Sequence, residues 1–332
     1  MALQRLTAIR SAVFGAAAVA LLAGMAASGP AWASENGTSF YLLGTGGPQA
    51  AVLPPISGVF LSNTGYYYDG GAGLGRQFVV GGNVVAGLHG TVAADFPTLL
   101  WVPTTNFGGA TVALGVIPPF GQSWVKASAV LTGPLGRQVS VEKSDSAFVF
   151  GDPVLLGSVG WKFGKTSLQV GNLINVPVGD YRSGQLANIA FHRWADDLSV
   201  SATWHDDKSG WDLSGKIGVT YNGTNNDTDY TTGTETHYEA AIEKAVTPKI
   251  ALGFQTYYFD QISADSGPGA KLGPFEGQVL GVGGEAAYNF QIAGKIPATL
   301  RLHGATEFEA RNRLTGHAIW LDFSMPLHVH MP

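Results

Sequence analysis

Between Pro153 and Met325 the chain keeps returning to one unit, a run of about ten residues in which apolar and polar side chains alternate before a turn. Leu198, Val200, Ala202 and Trp204 alternate with Ser199, Ser201 and Thr203; 211–219 and 298–303 behave likewise. Such period-two alternation predicts strands with one apolar and one polar face. Tilted strands of this length cross a bilayer only when they close into a barrel, because lipid satisfies no edge hydrogen bonds. The connections also alternate. They are tight at 164–165, 207–210 and 246–249, long at 177–197, 223–234 and 261–274, and shorter again around Gly294. Short periplasmic turns and longer outer loops give outer-membrane barrels this asymmetry. The expected fold is therefore all-β, a transmembrane antiparallel β-barrel of the outer-membrane type, placed in the bacterial outer membrane.

A first strand is expected at 58–68, and nine clear ones at 153–163, 166–176, 198–205, 211–222, 235–245, 250–260, 275–290, 298–309 and 317–325. The stretch 77–103 is too long for one strand, and His89-Gly90 offers a turn within it; 110–118 and 123–131 are two more candidates. Both barrel ends should be periplasmic, which requires an even number. With 177–197 on the outside, 153–163 runs inward and an odd number of strands precedes it. Five and nine give about fourteen strands, with twelve the alternative if 77–103 is one strand and another element is lost.

The first 33 residues read as a secretory signal peptide: Arg5 and Arg10, an apolar run at 12–27, then Ala31-Trp32-Ala33 before the cleavage point. Residues 34–57 are rich in Gly and Pro and are either a periplasmic lead-in or a small plug in the lumen. The barrel is assigned to 58–327 and a short tail to 328–332. Beyond the leader no apolar stretch approaches the roughly 18 residues a spanning helix needs.

Alternation assigns faces. Ser199, Ser201, Thr203 and His205 point to the lumen, as do Asp212, Ser214, Lys216 and Thr220. So do His237, Glu239 and Glu243, and on the strand at 298–309 Arg301, His303, Glu307 and Glu309. A charge facing lipid at mid-depth costs about 2–4 kcal/mol, so the inward assignment is strongly preferred. These groups either brace the wall as an ion-pair network or line a solute path, and alternation does not separate the two. In the outer loops, Asp227, Asp229 and Tyr230 occupy one connection and Asp265 and Ser266 another. The two loops return to the same rim, where Asp bonding and Gly bends would let them narrow the mouth.

Composition adds limits. The whole chain carries 19 basic and 24 acidic residues, and removing Arg5 and Arg10 with the leader makes the mature balance more negative. That argues against a nucleic-acid partner, for which a basic patch is expected. Charged residues are only 13%, against about 25% in soluble domains, as a lipid-facing surface requires. With no Cys there is neither a disulfide nor a lipid-attachment site. Trp161, Trp204, Trp211, Tyr221, Tyr288 and Trp320 fall near expected strand ends, where aromatic girdles would place them.

Candidate chemistry is sparse. Asp265-Ser266-Gly267 is similar to the nucleophile segment of trypsin-like proteases, but it sits in a Gly/Pro loop, and a triad needs a His and an acid in contact. Asn225 to Asp229 offers oxygen ligands without the Gly and closing Glu of a calcium loop. His328-Val329-His330 lies on a terminus, and the glycine run 71–76 is not followed by a helical pattern. No catalytic residue, cofactor or metal is expected.

Several ordered motifs resemble one family. They are Gly151-Asp152-Pro153, Gly160-Trp161, Pro177, Gly179 and Tyr181 with Leu186-Ala187-Asn188, Gly210-Trp211, and Asn222 through Tyr230 to Gly233. Tyr257-Tyr258 with Gln261, the run from Asp265 to Phe275, and Glu307-Phe308 with Asn312-Arg313 and Gly316 continue the series. Together they resemble the outer-membrane proteins named for the meta-cleavage pathway of phenol degradation. The chain departs from them in Val178, where Thr is expected, and in running past Phe323 to a Pro/His tail. The resemblance implies a barrel that transports aromatic or other hydrophobic compounds, with no assigned binding residues. The expected function is thus an outer-membrane channel for small hydrophobic solutes by passive diffusion; a lipid-acting enzyme or a purely structural barrel are the alternatives. Expected partners are outer-membrane lipid, the solute and the barrel-insertion machinery.

Overall fold

The computed structural model describes residues 35–73, 76–132, 138–274 and 276–329, all within one compact unit. The expected leader, Gly75 of the glycine run, Phe275 and the last three residues of the tail lie outside the described residues. After one turn of 3-10 helix (Glu35–Gly37) come β1 (Gly58–Gly71), β2 (Gln77–Val80), β3 (Asn83–Ala86), β4 (Leu88–Phe107), β5 (Ala110–Ile117) and β6 (Phe120–Thr132). They are followed by β7 (Gln138–Phe150), β8 (Val154–Phe163), β9 (Thr166–Asn175), β10 (Ala195–Asp206), β11 (Trp211–Asn222), β12 (Thr224–Asn225) and β13 (Tyr230–Thr231). The chain ends with β14 (Glu235–Ala245), β15 (Ile250–Gln261), β16 (Gln278–Ile292), β17 (Ile296–Arg311) and β18 (Thr315–Val329).

Twelve antiparallel strands close a ring: β1, β4, β5, β8, β9, β10, β11, β14, β15, β16, β17 and β18. Closure pairs β1 with β18, Gly58 opposite Val329 and Gly71 opposite Thr315, so both ends of the barrel wall share one rim. Twelve is the lower of the two expected counts. β6 and β7 lie outside the ring yet keep its register: β4 sets Leu99 against Val116 of β5 and then Asp95 against Phe120 of β6. β5 and β6 are thus one path broken at Pro118-Pro119, and β8 and β7 one path broken at Gly151–Pro153. Proline supplies no N–H to a ladder, which accounts for the breaks.

The division of 77–103 at His89-Gly90 does not occur. β4 runs straight through, with His89 opposite both Gly71 and Lys126. The turn lies instead at Gly81 and Gly82, whose φ of 54° and 78° make the two-residue type of hairpin that favours positive φ. β2 and β3 are therefore a small separate hairpin over the outer mouth. Phe78 and Val80 pack there against Leu186 of the loop after β9 and Leu314 of the loop after β17.

Faces follow the pleat. Leu198 and Val200 are more than half exposed, whereas Ser199, Ser201 and Thr203 between them are buried. Leu252, Phe254, Leu302, Ile319 and Leu321 extend the apolar outer surface around the ring. No helix among the described residues is long and apolar enough to cross a membrane. Two expectations fail. Trp320 does not join a girdle; it is buried in the lumen, because Ala318, Trp320 and Asp322 form the inward set of β18. Glu309 is exposed, not inward. A bulge between β16 and β17 gives β17 an extra residue there, and Glu309 takes φ 55°.

Candidate functional site

The first described residues lie inside the barrel. Glu35 is fully buried at the outer end, its carboxylate accepting from Asn225 and from Thr228 Oγ1 at 3.0 Å. From there the segment descends. Gly44 and Gly46 donate their N–H groups to the Glu239 carboxylate, Gln49 N donates to Ser214 Oγ at 2.9 Å, and Ala51 N to Thr203 Oγ1 at 3.0 Å. Inward polar side chains of β10, β11 and β14 thus supply acceptors to a stretch of backbone that has no sheet of its own, as buried N–H groups require.

The predicted lumen residues form separate clusters. His237 Nε2 lies 3.1 Å from Asp197 Oδ2, which also accepts from Thr220 Oγ1. Lys216 holds its ammonium 4.7 Å above the Tyr41 ring. Arg301 bridges Glu243 at 2.6 Å and Glu285 at 2.8 Å. His303 sits between Gln255 and Asp322, flat against Trp320 with ring centroids 4.7 Å apart. His205 is near the inner rim, bonded to Asp212 and close to Asp207. Among the described residues no group of three or more His, Asp or Glu side chains converges as a metal site.

Glu307 stands apart from these, at the wall of a cavity. It accepts from Tyr68 Oη at 2.8 Å, Tyr257 Oη at 3.2 Å and Gly316 N at 3.1 Å. The cavity occupies about 190 Å³ of the outer half of the lumen. Tyr66, Tyr257, Trp320, Phe96 and Phe191 give it an aromatic lining, with Leu42 and Leu43 of the first segment along one side. Sequence reading missed all of these. Their signal was present, since Tyr66 and Tyr68 share one parity on β1, but inward aromatics in a membrane barrel are hard to tell from girdle residues.

Close approach under the lining requires glycine. Tyr257 lies over its cross-strand neighbour Gly281, where a Cβ would come within 2.3 Å of the ring, and His237 covers Gly218 in the same way.

Over the mouth the two predicted loops meet. Thr231 and Ser266 exchange both backbone hydrogen bonds, 3.0 and 2.9 Å, and Gly269 N donates to Asp229 O. Tyr230 Oη donates to the Asp265 carboxylate, which also accepts from Gly233 N and Gln261 Nε2. Burial pushes the Asp265 carboxyl up to about 6, against the pull of these three donors and of Arg193. Asp227 is 3.6 Å from His192, which stacks on Tyr181.

Residues 75–323 match the family described as "Putative MetA-pathway of phenol degradation". The chain belongs to this family. No curated protein matches the sequence significantly. Among solved structures, an outer membrane channel from Pseudomonas putida F1 is 14% identical, with 84% of this chain and 98% of that one aligned at a TM-score of 0.66. The CymD monoaromatic hydrocarbon channel is 10% identical over 86% of this chain and 94% of that one, at a TM-score of 0.42. The first of these shares the overall fold. The protein is a barrel of the bacterial outer membrane. The family motifs coincide with the fastenings just described, Asn225 to Glu35, Asp265 to Tyr230 and Gln261, and Glu307 to Gly316, and with one more, in which Gly179 N donates to the Asp152 carboxylate at 2.9 Å.

Proposed function

We propose that the barrel admits small hydrophobic compounds, single-ring aromatics among them, by passive diffusion, with the outer cavity as their binding station. The cavity itself carries this reading. Its aromatic and aliphatic walls offer burial to an apolar solute, worth about 25 cal/mol per Å² removed from water. An apolar protein cavity of about 150 Å³ holds benzene, and the cavity here, at about 190 Å³, is of that size. Membership of a family described by phenol degradation supports the same substrate class, and the fold shared with a channel supports passage through the barrel.

The test is binding and uptake of toluene and naphthalene, with Ala94→Trp as the decisive variant. Ala94 lines the cavity and is buried, so an indole there fills the space while leaving the Glu239 and Arg301 clusters, which are not part of the lining, in place. Binding to the purified barrel and uptake by cells should both be lost. Uptake equal to the wild-type rate in cells carrying assembled Ala94→Trp would remove the cavity from the pathway.

A further inference from the structure

The cavity lining holds more hydrogen-bond donors than free acceptors. Its two carboxylates are both engaged. Glu307 accepts from Tyr68, Tyr257 and Gly316 N, and Asp152 from Asn175 Nδ2 and the N–H groups of Gly179, Phe191 and His192. Three donors of the lining have no acceptor among the described residues: the Tyr66 hydroxyl, the Arg313 guanidinium and the Trp320 indole N–H. A buried donor left unmatched is costly, so an excess of them at a cavity asks what they bind.

Tyr66 is fixed by its ring and untied at its tip. β1 sets it opposite Trp320 of β18 on one side and Ala94 of β4 on the other. Its ring centroid lies 5.6 Å from that of Trp320 and 6.4 Å from those of Tyr68 and Phe96. Aromatic neighbours therefore hold the ring on several sides, while no described residue bonds the hydroxyl. A tyrosine hydroxyl held among packed rings ordinarily finds a partner.

Arg313 is placed by the turn between β17 and β18. Asn312 before it has φ 56°, and its Nδ2 donates to Glu276 O at 2.8 Å. The side chain then runs beside Gly277, where a Cβ would stand 3.2 Å from Arg313 Cγ, and carries the guanidinium to 4.1 Å from the centre of the Phe259 ring. Only 8% of the residue is exposed, Nη1 is buried, and the guanidinium makes neither a hydrogen bond nor an ion pair with any described residue. The charges of Glu307 and Arg313 both act on the Tyr66 hydroxyl, so these three groups form one corner of the cavity. Glu307 balances the charge there. What the corner lacks is an acceptor.

We propose that the cavity selects aromatic solutes carrying an acceptor oxygen of the carbonyl type, which the Tyr66 hydroxyl and the Arg313 guanidinium bind. The selection rests on the cavity reading above and adds which solutes the station favours. A carbonyl oxygen has two lone pairs, enough for both donors. A hydrocarbon of the same shape packs against the same rings but leaves both donors unmatched. Sites that hydrogen-bond a ligand discriminate against the isostere that lacks the bonding group for this reason.

Acetophenone and α-methylstyrene test the corner, since they differ by a carbonyl oxygen in place of a methylene group. The two are hydrated differently in water, so each compound is compared with itself on wild-type and variant barrels. Tyr66→Phe removes a hydroxyl that bonds no described residue, and Arg313→Met keeps most of the apolar stem, so both should assemble, as heat-modifiable gel mobility would show. Dissociation constants are measured on the purified barrels by equilibrium dialysis. Each variant should weaken acetophenone about tenfold, the size of one hydrogen bond, and change α-methylstyrene by about twofold at most. Acetophenone affinity unchanged in either variant, or an equal loss for both compounds, overturns the selection and leaves the cavity reading standing. A wild-type barrel that binds neither compound removes the cavity as a station for aromatics, and the selection with it.

Discussion

Tyr41 lies flat on the His237 imidazole, ring centroids 3.5 Å apart and planes within 7° of parallel. One ring belongs to the first segment and the other to β14, so the stack joins the lumen filling to the wall. Asp197 fixes the imidazole from behind, and Lys216 covers the other contact of Tyr41. Just below, Glu239 receives two backbone N–H groups. A hydrogen bond to a charged acceptor is worth roughly 1.5–3 kcal/mol, so this carboxylate is the strongest single clamp on the segment.

Removing that clamp should open the lumen to ions. Glu239→Ala is expected to raise single-channel conductance and its fluctuations, and Glu239→Gln, which keeps an acceptor, to do so less. Barrel assembly, judged by heat-modifiable gel mobility, should persist. Conductance equal to wild type in Glu239→Ala would mean that the segment does not limit ion flow.

Arg301 is the only described cation in contact with both Glu243 and Glu285. Taking away one member of a buried ion cluster leaves uncompensated charge and costs about 3–5 kcal/mol. Arg301→Leu should therefore lower the urea midpoint of unfolding in lipid vesicles, and adding Glu243→Gln and Glu285→Gln should recover much of the loss. An unchanged midpoint for Arg301→Leu would show that water in the lumen already screens the pair.

Neighbouring glycines on β16 give a sharper test of wall packing. A Cβ on Gly283 would meet Gly304 O at 1.7 Å, whereas on Gly284 the nearest atom is Gly253 O at 3.8 Å. The first contact is with backbone and has no rotamer escape, so the cost reaches or exceeds the roughly 1–3 kcal/mol typical of overpacking. Gly283→Ala should impair barrel assembly, and Gly284→Ala should assemble like wild type. Identical assembly of the two would contradict the close approach of β16 and β17.

What the sequence disclosed follows from what is local. β11 and β14 were legible to the residue, at 211–222 and 235–245, because clean alternation ends at turn residues. β7 and the β2–β3 hairpin were not. The former is set by its register with β6 beyond the ring; the latter reads as apolar strand whether or not it joins the wall. In the site, the inward charges declared themselves through alternation, since a charge cannot face lipid cheaply. The cavity did not, because Tyr66, Tyr257 and Trp320 suit either face. Nor did the position of the first segment, which depends on backbone bonds to Glu239, nearly two hundred residues away.

Asp265 makes the outer loops sensitive to acid in an unusual direction. A carboxyl whose folded value is raised above the unfolded one, here from 3.8 to about 6, binds its proton more tightly in the folded loop. Its contribution to stability is then fully present below pH 4 and is lost as pH rises through about 6. Most loop carboxylates do the reverse. Hydrogen exchange of the backbone at 228–233 and 261–269, corrected for intrinsic rates, should therefore show stronger protection at pH 4.5 than at pH 7. Asp265→Asn cannot ionise but keeps an acceptor for Gly233 N, so it should remove most of the pH dependence and hold the protected state throughout. Protection that rises with pH in the wild-type protein would mean that the donors from Tyr230, Gly233 and Gln261 outweigh burial and that the carboxyl is ionised in the closed loop.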